Sequence, residues 1–76
     1  MKATVYTGPN CHACSAVIAW LKQNGVQVIE RPYTEAPFEV WSLPVIVIGD
    51  DVIIGFNKFR LERAISLANN RRRAKP

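Results

Sequence analysis

Residues 1–24 constrain the fold strongly, because they predict a strand followed at once by a helix. Residues 2–7 contain four β-forming residues, Thr4 to Thr7, and Gly8-Pro9 ends this stretch sharply. Asn10 stands where a helix N-cap is expected, and Asn24-Gly25 supplies a stop. A helix over residues 11–24 is therefore predicted. Its apolar residues recur at helical spacing, at Cys14, Val17, Ile18 and Leu21.

A second strand is predicted directly after this helix. Residues 26–30 alternate apolar and polar side chains for most of their length before they reach Arg31-Pro32. Two strands joined through a helix within roughly thirty residues form a right-handed crossover and lie parallel. Cys11 and Cys14, the two cysteines of the chain, then lie at the carboxyl end of the first strand, where partners of open α/β sheets dock.

Residues 31–43 form the least regular stretch. Thr34 is a candidate cap for a short helix running to Trp41, which two prolines limit to about two turns. Pro44 then opens a run of β-branched residues, as a proline can at the first position of a strand. This unbroken run, Val45–Ile48, predicts a strand buried on both faces.

A hairpin and a last helix are predicted to complete the domain. Gly49-Asp50 fits the two-residue loop of a type II′ turn into an antiparallel strand over 51–54. Asn57 is the expected cap of a helix that ends near Asn69-Asn70. The apolar stripe of that helix is Leu61, Ala64, Ile65 and Ala68. The predicted fold class is α/β, with the order β-α-β-(short α)-β-β-α.

The net charge of +4 is concentrated at the end of the chain. Four of the ten Lys and Arg residues lie in 71–76, so residues 1–70 carry six basic and six acidic side chains. We expect one domain over residues 1–70 and a basic, flexible tail over 71–76. Aromatic residues are absent from the tail, and no nucleic-acid partner is expected.

The start of the chain does not resemble a secretory signal, because polar and β-forming residues follow Met1-Lys2 at once. No apolar run approaches the roughly 20 residues of a membrane span. We therefore expect a cytoplasmic monomer without a membrane partner. Because a reducing compartment disfavours stable structural disulfides, the cysteine pair indicates redox or metal chemistry.

Two thiols separated by two residues at the start of a helix can close a disulfide, and they differ in reactivity. Cys11 lies in the first turn, where backbone N–H groups and the helix dipole lower the pKa of the thiol below its free value of roughly 8.5. Cys14 lies on the apolar stripe and is expected to be less exposed. Cys11 is therefore the predicted nucleophile and Cys14 the resolving thiol. His12 is either a surface residue or, when protonated, a further support for the Cys11 thiolate.

Three alternatives use the same cysteines. A zinc site needs four ligands, whereas the chain has two cysteines and one histidine. An iron–sulfur cluster would have to be shared across a dimer. Two inert core cysteines would be unusual at a strand-to-helix junction. The position of the pair favours redox chemistry, with no metal and no tightly bound cofactor.

Three segments carry a more specific signal: Tyr6–Cys14, Leu43–Asp51 and Ile54–Lys58. Together they resemble the small glutaredoxin-like proteins, including the NrdH-type redoxins, of the thioredoxin-fold superfamily. The resemblance extends from Val5 to about Leu67. It implies a thioredoxin (glutaredoxin-like) fold, with a four-stranded mixed sheet flanked by helices.

The resemblance also implies a cis Leu43–Pro44 peptide bond, with Leu43 offering its backbone to a bound peptide or to glutathione. Cys11 and Cys14 are the implied catalytic residues. Gly55 and Phe56 have an alternative, purely structural interpretation as turn and core. The residues implied to contact substrate are Pro9, Asn10, His12, Leu43, Pro44, Gly55, Phe56, Asn57 and Lys58.

The chain departs from both subclasses of this family. Glutathione users commonly carry a basic residue where this chain has Gly8, and their second helix is longer. The usual Gly-Gly and paired aspartates are replaced here by Ile54-Gly55 and Asn57-Lys58, although Asn57 and Lys58 at a helix start can still receive a carboxylate. Of the Trp-Ser-Gly-Phe of NrdH-type redoxins, only Gly55-Phe56 is kept.

The expected function is that of a small dithiol–disulfide oxidoreductase that reduces protein disulfides. The expected partners are a disulfide-containing client protein, with ribonucleotide reductase as one candidate, and either thioredoxin reductase or glutathione as electron donor. A glutathione-dependent glutaredoxin is the alternative, and a metal-binding or iron–sulfur module is a less favoured one.

Overall fold

The chain folds into a four-stranded mixed sheet with two α-helices packed against it. A computed structural model describes the backbone of residues 1–74 and the side chains of residues 1–70. The elements are β1 (Lys2–Thr7), α1 (His12–Gln23), β2 (Gln27–Pro32), a 3-10 turn (Tyr33–Glu35), β3 (Val45–Ile48), β4 (Asp51–Ile54) and α2 (Lys58–Ala74). This is the predicted α/β order, with a single 3-10 turn where the short helix was expected.

Strand β1 lies inside the sheet, whose order is β2-β1-β3-β4. It pairs with β2 in parallel and with β3 in antiparallel orientation, and β3 pairs with β4 antiparallel. Both the predicted crossover and the predicted hairpin are therefore confirmed. The turn between β3 and β4 has Gly49 at a φ of 58°, the positive value that a type II′ turn needs at its first central position.

The core lies between the two helices and one face of the sheet. Val5, Ile46 and Ile53 stand side by side on neighbouring strands, and all three are buried. The helices complete this cluster with Val17, Leu21, Leu61 and Ala64. On the other face of β3, Val45 is buried and Val47 is half-buried, so the predicted burial on both faces is largely confirmed.

The opposite face of the sheet is much less covered. Val52 and Ile54 alternate with buried Ile53 along β4, and each exposes half or more of its side chain. The connection from β2 to β3 starts and finishes at the end of the sheet that carries the cysteines, because β2 runs parallel to β1 and β3 antiparallel to it. It therefore stays at that end.

The prediction that Asn10 caps α1 is wrong. Asn10 has a φ of 59°, in the left-handed region, whereas an N-cap residue has extended backbone. Cys11 takes the cap position, with φ −105° and ψ 94°. The sulfur of this residue thus occupies the place of the usual capping oxygen.

The predicted short helix from Thr34 to Trp41 is also wrong. Pro37 disfavours helical backbone at the preceding residue, and Ala36 is accordingly extended, with a ψ of 138°. The chain beyond this point is irregular up to β3. Phe38 is held there by an edge-to-face contact with Tyr6, at 5.7 Å between ring centroids.

Helix α2 is longer than predicted. Asn57 caps it as expected, since the Arg60 N–H donates to Asn57 Oδ1 at 3.1 Å. Its last residue is Ala74 rather than Asn69-Asn70. The expected flexible tail over 71–76 stays a prediction, because its side chains and residues 75–76 lie outside the described residues.

Replacement of Leu61 by alanine is expected to lower the free energy of unfolding by about 2–5 kcal/mol, because Leu61 is fully buried between α2 and the sheet. The matched control is Leu67→Ala in the same helix, which removes a 37% exposed side chain and should cost about 1 kcal/mol or less. Urea denaturation of the oxidised protein measures both values. Equal losses would contradict this account of the core.

Candidate functional site

The two cysteines lie where the central strand passes into the first helix. Strand β1 ends at Thr7, and the chain turns through Gly8-Pro9 and left-handed Asn10 before α1 begins at His12. Cys11 and Cys14 are joined by a disulfide, with their Cα atoms 5.3 Å apart. The sequence thus places both sulfur atoms within the first turn of α1.

The two sulfur atoms differ in their surroundings. Cys14 is 3% exposed, on the buried side of α1, whereas Cys11 is partly exposed. The backbone N–H of Cys14 donates to Cys11 Sγ at 3.1 Å. The same N–H would stabilise a negative charge on Cys11 Sγ. This stabilisation adds to that of the helix N-terminus. The pair is therefore asymmetric, with Cys11 as its outward member.

The Leu43–Pro44 peptide bond is cis, as the family resemblance implied. Pro44 is buried, and its carbonyl accepts a hydrogen bond from the Gly55 N–H at 2.8 Å. This bond ties the start of β3 to the residue after β4. Leu43 is thereby fixed at the same end of the sheet as the cysteines.

A groove of about 410 Å³ lies beside Cys11, and we call it the cysteine groove. Every residue that lines it is uncharged: Pro9, Asn10, Cys11, Tyr33, Val40, Trp41, Ser42 and Leu43. Its volume falls within the roughly 300–1,000 Å³ common for ligand pockets. Trp41 is the most exposed of its large hydrophobic residues, with 86% of the residue exposed.

Sequence reasoning selected half of these lining residues and missed the other half. Pro9, Asn10, Cys11 and Leu43 were predicted. The residues missed are Tyr33, Val40, Trp41 and Ser42. The available signal was weak, and consisted of aromatic and apolar side chains in a stretch where no regular element could bury them.

The remaining predicted contact residues do not line the cysteine groove. His12 is exposed in the first turn of α1. Phe56 packs edge-on against Trp20 of α1, at 6.2 Å between centroids, and Lys58 Nζ lies 5.8 Å from the Phe56 ring. Asn57 lines a different groove, between β4 and α2. Gly55 provides a turn, with a φ of 84°.

Gly8 is a point of close approach between β1 and the loop that precedes β3. A Cβ atom at this position would lie 2.5 Å from Leu43 Cδ1 and 3.2 Å from Tyr33 Cδ1. A side chain at position 8 would thus require the end of the Leu43 side chain to shift. The presence of Gly8 and the position of Leu43 are physically coupled.

The described residues hold no group of three or more His, Cys, Asp or Glu side chains placed to bind a metal ion. Neither α-helix, over the part of the chain that the structure describes, has the length and apolarity needed to cross a membrane.

A cysteine pair in the first turn after β1, next to a cis-proline that opens β3 in a β2-β1-β3-β4 sheet, defines a protein with the thioredoxin fold. This is the fold of thiol–disulfide oxidoreductases. No protein-family model matches the sequence, and no curated protein matches it.

Solved structures match the fold closely. A mutant of the thioredoxin-like protein BC3987 superposes with a TM-score of 0.72 at 26% identity, over 84% of this chain and 94% of its own. The NrdH-redoxin of Escherichia coli, a glutaredoxin-like protein, has a TM-score of 0.67 at 25% identity, over 83% and 93%. A glutaredoxin from Archaeoglobus fulgidus has a TM-score of 0.67 at 23% identity, over 83% and 84%, which is a likeness of fold. The chain therefore has the thioredoxin fold, and its structure is similar to those of glutaredoxin-like proteins.

A double-mutant cycle should detect the coupling between Gly8 and Leu43. Gly8→Ala forces the Leu43 side chain to move, and Leu43→Ala removes the collision, so the two substitutions should be non-additive by about 0.5–3 kcal/mol in unfolding free energy. Gly25→Ala is the matched control, since its Cβ would meet nothing within 4 Å. A cycle of Gly25→Ala with Leu43→Ala should be additive. Additivity in both cycles would refute the coupling.

Proposed function

We propose that this protein is a dithiol–disulfide oxidoreductase that reduces disulfides of client proteins through Cys11 and Cys14. The observation that carries the proposal is the asymmetry of the pair, with a partly exposed Cys11 beside a groove and a buried Cys14 behind it. Thiol–disulfide exchange needs both an accessible attacking sulfur and a second sulfur that remains within reach.

The proposed reaction starts from the reduced pair. The Cys11 thiolate attacks one sulfur of the client disulfide, a mixed disulfide forms, and the other client sulfur leaves as thiolate. The Cys14 thiol, after losing its proton, attacks Cys11 Sγ and releases the second client thiolate. Two electrons have then passed to the client, and the Cys11–Cys14 disulfide seen in the structure is the oxidised product.

The surroundings of Cys11 support its role as nucleophile. Its position as N-cap and the N–H of Cys14 would both favour a negative sulfur once the bridge is open. Cys14 lacks such exposure and suits the resolving role. Leu43 lines the groove beside Cys11 and is well placed to offer backbone groups to an extended client.

We further propose thioredoxin reductase as electron donor and the cytoplasm as the compartment, with ribonucleotide reductase as a candidate client. The structure of the Escherichia coli NrdH-redoxin is described as explaining a thioredoxin-like activity profile, and this chain resembles it over 83% of its length. The uncharged groove and Gly8 disfavour the alternative, a glutathione-dependent glutaredoxin.

Cysteine variants test the reaction. Cys11→Ser should abolish the reduction of insulin disulfides, because the remaining thiol, Cys14, is only 3% exposed. Cys14→Ser should instead stop at the mixed disulfide, which mass spectrometry detects as a covalent adduct. Ser15→Ala, an exposed substitution on the same helix, is the control and should retain full activity. Insulin reduction by the Cys11→Ser variant would rule out the proposed nucleophile.

The electron donor is tested by NADPH consumption with insulin as the acceptor. Turnover is expected when thioredoxin reductase is supplied, and at most slow turnover when glutathione and glutathione reductase replace it. The reason is that glutathione carries two carboxylates, for which the cysteine groove offers no cation. Faster turnover with the glutathione system would favour the glutaredoxin alternative.

A further inference from the structure

We propose that the cysteine groove selects an uncharged, extended client segment that places a large apolar side chain against Trp41, beside the reacting client cysteine. This inference rests on the function proposed above, and adds to it the kind of segment that the site accepts.

Trp41 is the most exposed large hydrophobic residue among those that the structure describes. It exposes 86% of its surface, compared with 76% for Phe59, the next in order. The two aromatic ring pairs within the described residues join Tyr6 to Phe38 and Trp20 to Phe56, so Trp41 has no ring partner there. An indole ring with this exposure offers a large apolar surface to a partner. Tryptophan is also enriched among the interface residues that contribute most to binding.

Trp41 lies close enough to Cys11 for a reacting client to contact both residues. Trp41 and Cys11 line the same groove, together with Val40 and Leu43. A client disulfide must bring one sulfur against Cys11 Sγ before exchange can occur. The residues next to that client cysteine are then forced into the groove, and an apolar side chain among them meets the apolar wall that ends in Trp41.

The absence of charge in the cysteine groove determines which segment it accepts. A charged side chain or carboxylate buried there would lose water without gaining a partner of opposite sign. The charged residues of the adjoining chain do not supply one, because Arg31 and Glu35 pair with each other at 3.6 Å and Glu39 does not line the groove. By contrast, the groove between β4 and α2 contains Asp51, Arg60 and Arg63.

Leu43 accounts for the extended shape of the segment. No hydrogen bond among the described residues uses its backbone groups, and the next residues enter β3. A client strand can therefore pair with Leu43 while its side chains alternate between Cys11 and the wall of the groove.

The test uses three blocked peptides as disulfide-linked homodimers: acetyl-Gly-Phe-Cys-Gly-amide and its analogues with Ala or Asp in place of Phe. Pre-reduced protein, freed of other thiols, is mixed with each peptide, and the released peptide thiol is measured after acid quenching. The Phe peptide should react about tenfold faster than the Ala peptide, as expected for one well-placed aromatic contact. The Asp peptide should be the slowest.

Trp41→Ala should remove the advantage of the Phe peptide, whereas Phe59→Ala, a matched loss of an exposed aromatic residue outside the groove, should leave it intact. Trp41→Phe should restore most of it. Bis(2-hydroxyethyl) disulfide, which lacks an apolar side chain, should react equally with wild type and Phe59→Ala. Its rate with each Trp41 variant gives the reactivity of the cysteine pair, to which the peptide rates of that variant are referred.

Two failures remain distinguishable. If the wild type reduces insulin and bis(2-hydroxyethyl) disulfide but treats the three peptides alike, or if Trp41→Ala and Phe59→Ala behave identically, the recognition is overturned and the oxidoreductase function stands. If the wild type reduces none of these disulfides, the proposed function itself is wrong. Circular dichroism of the variants establishes that they remain folded.

Discussion

The fixed position of β1 between β2 and β3 is the constraint on which the site depends. Hydrogen bonding on both sides of this strand holds its carboxyl end, and the turn after Thr7 then determines where Cys11 lies. Because β3 runs antiparallel to β1, with Val45 opposite Tyr6, the residue before β3 arrives at the same end. Residues 11 and 43, distant in sequence, are neighbours because of this pairing and the turn after Thr7.

The features that depend on local pattern could be predicted from the sequence. β-forming residues and alternation located β1 and β2, helical spacing located α1 and α2, and the Gly49-Asp50 turn located the hairpin. The place of Cys11 and Cys14 at the helix start followed from these elements. The cis geometry of Leu43–Pro44 could not be derived this way, since only about 5–6% of bonds before proline are cis in folded proteins. It required the resemblance to a family.

The cysteine groove could be predicted only in part, because one side of it is formed by the loop that precedes β3. The path of residues 36–43 is determined by contacts with distant residues, such as Phe38 against Tyr6, rather than by the repeating pattern of a helix or strand. The extended backbone at Ala36 before Pro37 stops the 3-10 turn early. Trp41 and Val40 therefore lie along the groove, in positions that the helical interpretation of 34–41 did not give them.

The short spacing of the two cysteines has a consequence for folding thermodynamics. A cross-link with a sequence separation of 3 restricts the unfolded chain only slightly, by about 2 kcal/mol in the chain-entropy model, compared with about 4.7 kcal/mol for a 100-residue loop. Reduction and unfolding form a closed cycle, so this entropic contribution favours the bridge in the native state by the same amount. The buried cluster around Val5 and Leu61 bears most of the stability in both states. Opening of the bridge is thus expected to leave the sheet and the two helices in place.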